Sequence, residues 1–250
     1  MILYGKTDIG QRRAVNQDSF VIKKVAGDVL YALVCDGMGG VNGGSIASTE
    51  AIRAFQKKVD ACEAENPAFF GLSGEEIFAL LREAVTDATN AVLAKAEEDL
   101  TLHGMGTTLV GCLITGDTAY VVNVGDGRLY HLTAEGMRQI TKDHSYVQEL
   151  VDSGLMTPEE AKTSQKKNII TRCVGMEAVE ADVFSFSVSV GDAIVLCSDG
   201  LINHVEPDEI ADMIEQSREQ GELQTACESM IDCANSRGGF DNITAVVLSI

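Results

Sequence analysis

Three apolar runs of this chain end on the dipeptide Asp-Gly. The dipeptides are Asp36-Gly37, Asp126-Gly127 and Asp199-Gly200, which follow the runs YALVC, VVNVG and IVLCS. Such runs are typical of strands that are covered on both faces. The chain is therefore expected to fold into stacked layers, with several carboxylates held at the ends of buried strands.

The order of the predicted elements indicates an α+β fold. Strand-like runs lie at 28–35, 107–115, 119–124, 128–132, 183–190, 193–197 and 244–250, and helical patterns lie at 45–59, 73–100, 206–214 and 223–234. Strands and helices occur in blocks rather than in strict alternation. This order favours two antiparallel sheets packed together, with helices outside.

A single domain over residues 1–250 is predicted, because no repeat or Pro/Ser-rich linker interrupts the chain and it contains only three prolines. Residues from about 144 to 170 are polar, helical in pattern and inserted between strands. Thr157 and Glu160 have the spacing of a capping box at a helix start. This segment is predicted to form a helical flap on the surface.

Charge and composition exclude several classes of protein. With 38 acidic and 19 basic side chains, the chain has a net charge of −19, which repels nucleic acid. No uncharged run reaches 18 residues, so membrane insertion is not expected. The seven cysteines include no CxxC pair. Without a visible signal peptide, these features predict a cytoplasmic protein, and the lack of an evident apolar face predicts a monomer.

The aspartates are the strongest indication of chemistry. Each Asp-Gly pair alone is most often a turn. If the strand ends converge, however, crowded carboxylates are costly unless cations neutralise them. Oxygen ligands suit Mg²⁺ or Mn²⁺, and pairs of such ions serve phosphoryl hydrolysis. Arg13 is the candidate for holding a phosphoryl group, although a surface arginine like its neighbour Arg12 fits the residues equally well.

Six short motifs occur in an order that resembles a known family. They are Arg13-x-x-Asn16-Gln17-Asp18, Asp36-Gly37-Met38-Gly39-Gly40, Gly106-Thr107-Thr108, Val124-Gly125-Asp126-Gly127-Arg128, Ser198-Asp199-Gly200-Leu201 and Gly239-x-Asp241-Asn242-Ile243-Thr244. Together they resemble the metal-dependent protein phosphatases of type 2C, or PPM family, in their bacterial stand-alone form. The resemblance spans nearly the whole chain.

The resemblance implies a β-sandwich flanked by helix pairs, a four-layer αββα arrangement, with two Mn²⁺ or Mg²⁺ ions at one end. It implies hydrolysis of phosphoserine and phosphothreonine in proteins by a metal-bridging hydroxide that attacks in line, without a covalent intermediate. By this resemblance, Asp36 bridges the two metals, the Gly37 carbonyl ligates one of them, and Asp199 and Asp241 ligate the other. Asp126 and Asp199 hold a weaker third metal. Asp18, which acts through a metal-bound water, and Asn242 lie next to these ligands, and Arg13 binds the phosphoryl group.

The chain departs from the family pattern at Val41, where the bacterial proteins usually have histidine, so a general acid at that place is not expected. The resemblance also implies a serine/threonine protein kinase whose output this enzyme reverses. Two alternatives remain open from the sequence. One is a non-catalytic phosphoprotein-binding pseudophosphatase, and the other is a metal-dependent hydrolase of small phosphate esters.

Overall fold

In the computed structural model, which describes residues 2–25, 29–40, 42–69 and 71–250, the strands form two antiparallel sheets. One sheet has the order β1 (Ile2–Asp8), β11 (Ile243–Ser249), β10 (Ala193–Cys197), β7 (Arg128–Thr133) and β8 (Gly136–Gln139). The other has the order β2 (Asp18–Lys24), β3 (Leu30–Met38), β5 (Leu109–Thr115), β6 (Thr118–Val124) and β9 (Asp182–Ser187), and the short β4 (Gly106–Thr107) pairs with β3.

Two pairs of helices cover the outer faces of the sheets. The described α-helices, including those that belong to neither pair, are α1 (Gly43–Glu65), α2 (Gly74–Glu98), α3 (Tyr146–Asp152), α4 (Pro158–Thr163), α5 (Asp199–Ile202), α6 (Pro207–Gln220) and α7 (Gln224–Ser236). Helices α1 and α2 pack on the β2–β9 sheet, and α6 and α7 pack on the other sheet. The predicted sandwich with helices outside is thereby confirmed. No helix in the described part of the chain is long and apolar enough to cross a membrane.

The continuous apolar runs are explained by three separate cores. In β3, Tyr31 and Leu33 face the α1–α2 layer, whereas Ala32 and Val34 face the opposite sheet. In β10, likewise, odd-numbered residues pack against α6 and α7 and even-numbered residues fill the space between the sheets. Both faces of β3 and β10 are buried along these runs, which explains why the runs are apolar on both faces.

Most predicted elements are present, with three local differences. The strand predicted for 183–190 ends at Ser187, and Val190 is 94% exposed in the following turn. The strand predicted for 107–115 is interrupted at Thr108. Asp199-Gly200 begins a helix rather than a turn. The predicted start of β3 at Asp28 lies outside the described residues.

The strand ends bring the predicted site residues together. β3 and β6 end, and β2, β5, β7 and β11 begin, at one end of the sandwich, as the antiparallel registers require. Asp126 lies in the turn between β6 and β7, Asp199 follows β10, and Asp241 precedes β11. The sandwich therefore carries its acidic residues at one rim.

The flap is an inserted segment that leaves the sandwich at this same rim and returns to it. It contains α3 and α4, and it is closed at its root by a bridge between Ser145 and Ile170. The predicted capping box at Thr157 and Glu160 is present in α4. Beneath the flap lies a cavity of about 540 Å³ whose lining includes Asp126 and Asp199.

Candidate active site

Asp18 and Asp36 face each other across two neighbouring strands. The register of β2 against β3 pairs these two residues directly. One carboxylate oxygen of Asp18, Oδ2, accepts hydrogen bonds from Ser198 Oγ at 2.8 Å and Thr244 Oγ1 at 2.6 Å. The other, Oδ1, is buried and has no hydrogen-bond partner among the described residues. Strand pairing thus holds two acidic side chains side by side.

The remaining carboxylates arrive from the opposite sheet and from the β6–β7 turn. The Asp199 carboxyl adjoins that of Asp36, and its Oδ1 is also buried with no partner in the described chain. Asp241 accepts a hydrogen bond from Arg13 Nη2 at 2.7 Å on Oδ2 and one from the Asn242 amide on Oδ1. Asp126 completes the group from the turn.

These side chains are close enough to oppose one another's ionisation. Burial raises the pKa of Asp36 well above its usual value, and the charges of Asp18 and Asp199 raise it further. Burial likewise raises the pKa of Asp18 to about 7 and that of Asp126 to about 7. Because the same charges that oppose ionisation would attract a cation, the group has the electrostatics of a divalent metal site.

The donor set fits hard divalent ions. All the side-chain groups are carboxylates, and the two orphaned buried oxygens on Asp18 and Asp199 are available to a cation or to water bound to it. No three His, Cys, Asp or Glu side chains within residues 2–25, 29–40, 42–69 and 71–250 are placed to hold an ion by themselves. Each ion would therefore need backbone carbonyls and water as additional ligands, which is the coordination that Mg²⁺ prefers.

The glycines beside these aspartates allow backbones to approach each other. A Cβ on Gly37 would lie 1.9 Å from the carbonyl oxygen of Gly44 in the first turn of α1. A Cβ on Gly200 would lie 1.9 Å from the carbonyl oxygen of Asn242. The absence of side chains at these two positions therefore makes room for neighbouring backbone.

Arg13 lies at the outer edge of the group, with half of its side chain exposed. The loop that carries it is fixed by Asn242, whose side chain accepts from the Gln17 amide at 2.9 Å and donates to the carbonyls of Ile9 and Val15. Arg12, by contrast, points over the ring of Phe240. The structure therefore brings Arg13, and not Arg12, to the carboxylates.

Several supporting residues were quoted in motifs without a role. Thr108 donates its amide to the Asp36 carbonyl and accepts the Asp36 amide on its hydroxyl, at 2.9 and 3.0 Å. Thr107 adds a hydroxyl donor to the same carbonyl at 2.9 Å. These two threonines fix the backbone of Asp36, whereas the hydroxyls of Ser198 and Thr244 fix the carboxylate of Asp18. Their motifs were visible in the sequence, but their partners are 70 to 230 residues away. Val41 lies outside the described residues.

Known proteins match this chain in sequence and in fold over most of its length. The family model for protein phosphatase 2C matches residues 7–232. This chain belongs to the protein phosphatase 2C family. The family resemblance inferred from the six motifs is thereby confirmed.

Individual relatives agree with the family match. The serine/threonine phosphatase Stp of Listeria welshimeri is 36% identical over 97% of this chain and 93% of its own length. The crystal structure of the Mycobacterium tuberculosis serine/threonine phosphatase PstP is 33% identical, with a TM-score of 0.86 over 100% of this chain and 99% of that one. The predicted class of enzyme, a serine/threonine protein phosphatase, is confirmed.

A further solved structure contains metal. The catalytic domain of the serine/threonine protein phosphatase PstP, in complex with two manganese ions, is 34% identical, with a TM-score of 0.82 over 98% of this chain and 96% of that one. Dependence on metal is general for the family, so a metal-dependent activity is expected of this chain as well.

Proposed function

We propose that this protein hydrolyses phosphoserine and phosphothreonine in proteins, using two Mn²⁺ or Mg²⁺ ions held at the acidic rim. The observation that carries this proposal is the convergence of buried carboxylates, two of them with an orphaned oxygen, beside an exposed arginine at one end of the sandwich. A weaker third ion at Asp126 and Asp199 belongs to the same proposal.

The proposed roles follow from where each group lies. Asp36, Asp199, Asp241 and the Gly37 carbonyl would hold the two ions, and Asp18 would hold water beside them. When bound, such ions lower the pKa of a water nucleophile and neutralise charge on the phosphoryl group. Arg13 binds one Asp241 oxygen through a single nitrogen, so its remaining N–H groups are available to phosphoryl oxygens.

The biological setting is also part of the proposal. The expected substrates are phosphoproteins, including a serine/threonine protein kinase whose output the enzyme reverses. We place the enzyme in the cytoplasm as a monomer. The net charge of −19 supports a protein rather than a nucleic-acid substrate, because a field of this sign repels a polyanion.

The first prediction concerns metal dependence. After chelation, hydrolysis of p-nitrophenyl phosphate and of a phosphothreonine peptide is expected to return with Mn²⁺ in the wild type and to stay at least about 100-fold lower in Asp199→Asn, because that change removes a ligand with a buried orphaned oxygen. Asp232→Asn, at an exposed position on α7, is the matched control and should behave as wild type.

The alternatives predict other outcomes in the same assay. A folded wild-type protein that binds phosphopeptide but hydrolyses nothing with any metal would be a pseudophosphatase. Faster hydrolysis of nucleotides or sugar phosphates than of the phosphothreonine peptide would indicate a small-molecule phosphatase. Either result would overturn the proposed activity.

The second prediction concerns Arg13. Arg13→Met is expected to lower kcat/KM for the phosphopeptide by about 10- to 100-fold, since hydrogen bonds to a charged group contribute about 1.5–3 kcal/mol. Mn²⁺ affinity should not fall, because the guanidinium competes for Asp241 rather than holding the metal. The neighbouring Arg12→Met removes the same charge and should stay within about twofold of wild type. Equal losses in both variants would contradict the assignment.

A further inference from the structure

We propose that Asn203 positions the Asp199 carboxylate and links it to the flap through Lys167, so that flap docking and metal binding strengthen each other. The inference rests on the proposed metal site, and it assigns two positioning residues that the six motifs do not contain.

The connection consists of two hydrogen bonds in series. The Asn203 side-chain amide donates from Nδ2 to Asp199 Oδ2 at 3.2 Å. Its carbonyl oxygen, Oδ1, accepts from Lys167 Nζ at 2.7 Å. The amide therefore joins a lysine of the flap to a carboxylate of the metal site.

A side-chain amide can make this connection without opposing charges. Lysine can only donate, and an ionised carboxylate can only accept, so a relay between them needs one acceptor and one donor. Asparagine supplies both and carries no charge. The polarity of the two partners also fixes which way the Asn203 amide points, because the reverse orientation would set its NH₂ against the ammonium and its oxygen against the carboxylate.

The relay leaves Asp199 able to bind a cation. A direct ion pair with Lys167 would place a positive charge on the ligand itself and compete with the metal. With Asn203 between them, only Oδ2 is engaged, and Oδ1 stays buried with no partner among the described residues. Hydrogen bonds from outer groups to ligating carboxylates orient the ligand and strengthen metal binding.

Both ends of the relay are fixed in the fold. Asn203 follows α5, and its backbone amide donates to the Asp199 carbonyl at 2.9 Å, so the two residues share one helical turn. Lys167 lies in the turn between α4 and the flap root, where its amide donates to the Ser164 carbonyl. The flap also contacts the body through Lys162 and Glu206, at 3.5 Å, but this contact does not touch a carboxylate of the metal site.

Coupling between the two sites must be reciprocal. If docking of the flap through Lys167 orients Asp199 for a metal ion, then a bound ion must favour the docked flap by the same factor. The relay therefore predicts an effect in each direction, and each is measurable without substrate.

The first measurement is Mn²⁺ binding by calorimetry on the metal-free protein. The quantity compared is the dissociation constant of the binding event that is lost in Asp199→Asn. Asn203→Ala is expected to raise the dissociation constant about 10-fold. Lys167→Met, which keeps the length of the side chain, should raise it about threefold. The double variant should match Asn203→Ala alone, because the hydrogen-bond relay from Lys167 to Asp199 passes through Asn203.

Two controls separate the relay from general effects of charge and docking. Lys166→Met removes the same charge one residue away, where the ammonium lies over the ring of Tyr146. Lys162→Met removes the flap contact with Glu206. Both should bind Mn²⁺ as the wild type does. An unchanged dissociation constant in Asn203→Ala, equal effects of Lys166→Met and Lys167→Met, or multiplying effects in the double variant would each overturn the proposal.

The second measurement is hydrogen exchange over residues 158–170. Mn²⁺ is expected to slow exchange there in the wild type and not in Asn203→Ala. Slowing of equal size in both proteins would overturn the coupling. A wild-type protein that binds no Mn²⁺ in calorimetry is a different result, because it would overturn the proposed metal site itself.

Discussion

Replacing Asp36 with asparagine is expected to lower kcat by at least about 1,000-fold, equivalent to about 4 kcal/mol in the activation free energy, while the fold is retained. Asp36 lies at the centre of the carboxylate group, where the charges of Asp18, Asp199, Asp126 and Asp241 all act on it. Asparagine has the same shape, but it supplies one neutral oxygen in place of a charged carboxylate, so it cannot bridge two cations.

The structure also predicts that this loss does not come from unfolding. The Asp36 backbone is held by Thr107 and Thr108, and none of those hydrogen bonds involves the carboxylate. Asparagine removes a buried charge that its neighbours oppose, so the metal-free variant should melt no lower than the metal-free wild type.

Thermal unfolding with and without Mn²⁺ checks both statements together. An ion that binds only the folded protein stabilises it by about 2.7 kcal/mol at 100 times its dissociation constant. The wild type should therefore melt at a higher temperature in Mn²⁺ than in chelator, and Asp36→Asn should show a much smaller shift. Full Mn²⁺-dependent turnover in this variant would show that Asp36 does not bridge the metals.

The layered fold could be predicted from the sequence because the order of apolar and polar residues in a strand depends on which of its faces are buried. An unbroken apolar run such as YALVC needs cover on both faces, and the structure supplies α1 and α2 on one face and the second sheet on the other. The capping signal at Thr157 marked a helix start correctly because the hydrogen bonds involved are local.

The alternation of apolar and polar residues in 183–190 did not predict where the strand ends. Phe184 and Phe186 pack against the core between the sheets, and Val188 is buried, but Val190 is exposed. The apolar pattern continues past the last residue that β9 pairs with β6, which is Ser187. Periodicity describes which face a residue shares with its neighbours, and it does not show where the partner strand stops.

The acidic residues of the site could be named in advance because each stands at a strand end, but the groups that hold them could not. Ser198 and Thr244 are far from Asp18 in sequence, and a hydroxyl has no pattern that reveals its acceptor. Lys167 and Asn203 likewise meet only because the flap folds back over α5. Contacts of this kind depend on tertiary packing.

The contacts of Gly37 also depend on tertiary packing and could not be predicted from the sequence. They lead to the second prediction with a large expected effect. Gly37→Ala is expected to lower the free energy of unfolding by about 3 kcal/mol, the upper end of the usual cost of forcing extra volume into a packed interior, and to reduce Mn²⁺-dependent activity with it. The added Cβ would lie 1.9 Å from the Gly44 carbonyl oxygen and 2.8 Å from that of Gln17. Both obstacles are backbone, which cannot rotate away as a side chain can.

The measurement is thermal unfolding in chelator, where the melting temperature should fall by about 6–12 °C for a domain of this size. Gly44→Ala should act in the same direction, because its Cβ would lie 2.6 Å from the Gly37 carbonyl. Gly74→Ala is the matched control: its nearest neighbour is Tyr120, at an ordinary contact distance of 3.4 Å, so its melting temperature should not fall.

The neighbouring substitutions at 36 and 37 are thus expected to inactivate the enzyme for different physical reasons. Asp36→Asn should lose metal binding at an unchanged melting temperature, since only a charge is removed. Gly37→Ala should lose stability even in chelator, since α1 can no longer pack against the end of β3. If Gly37→Ala melted as the wild type does, the close approach of Gly37 to Gly44 would be wrong, and with it the position of the Gly37 carbonyl that we assign to a metal.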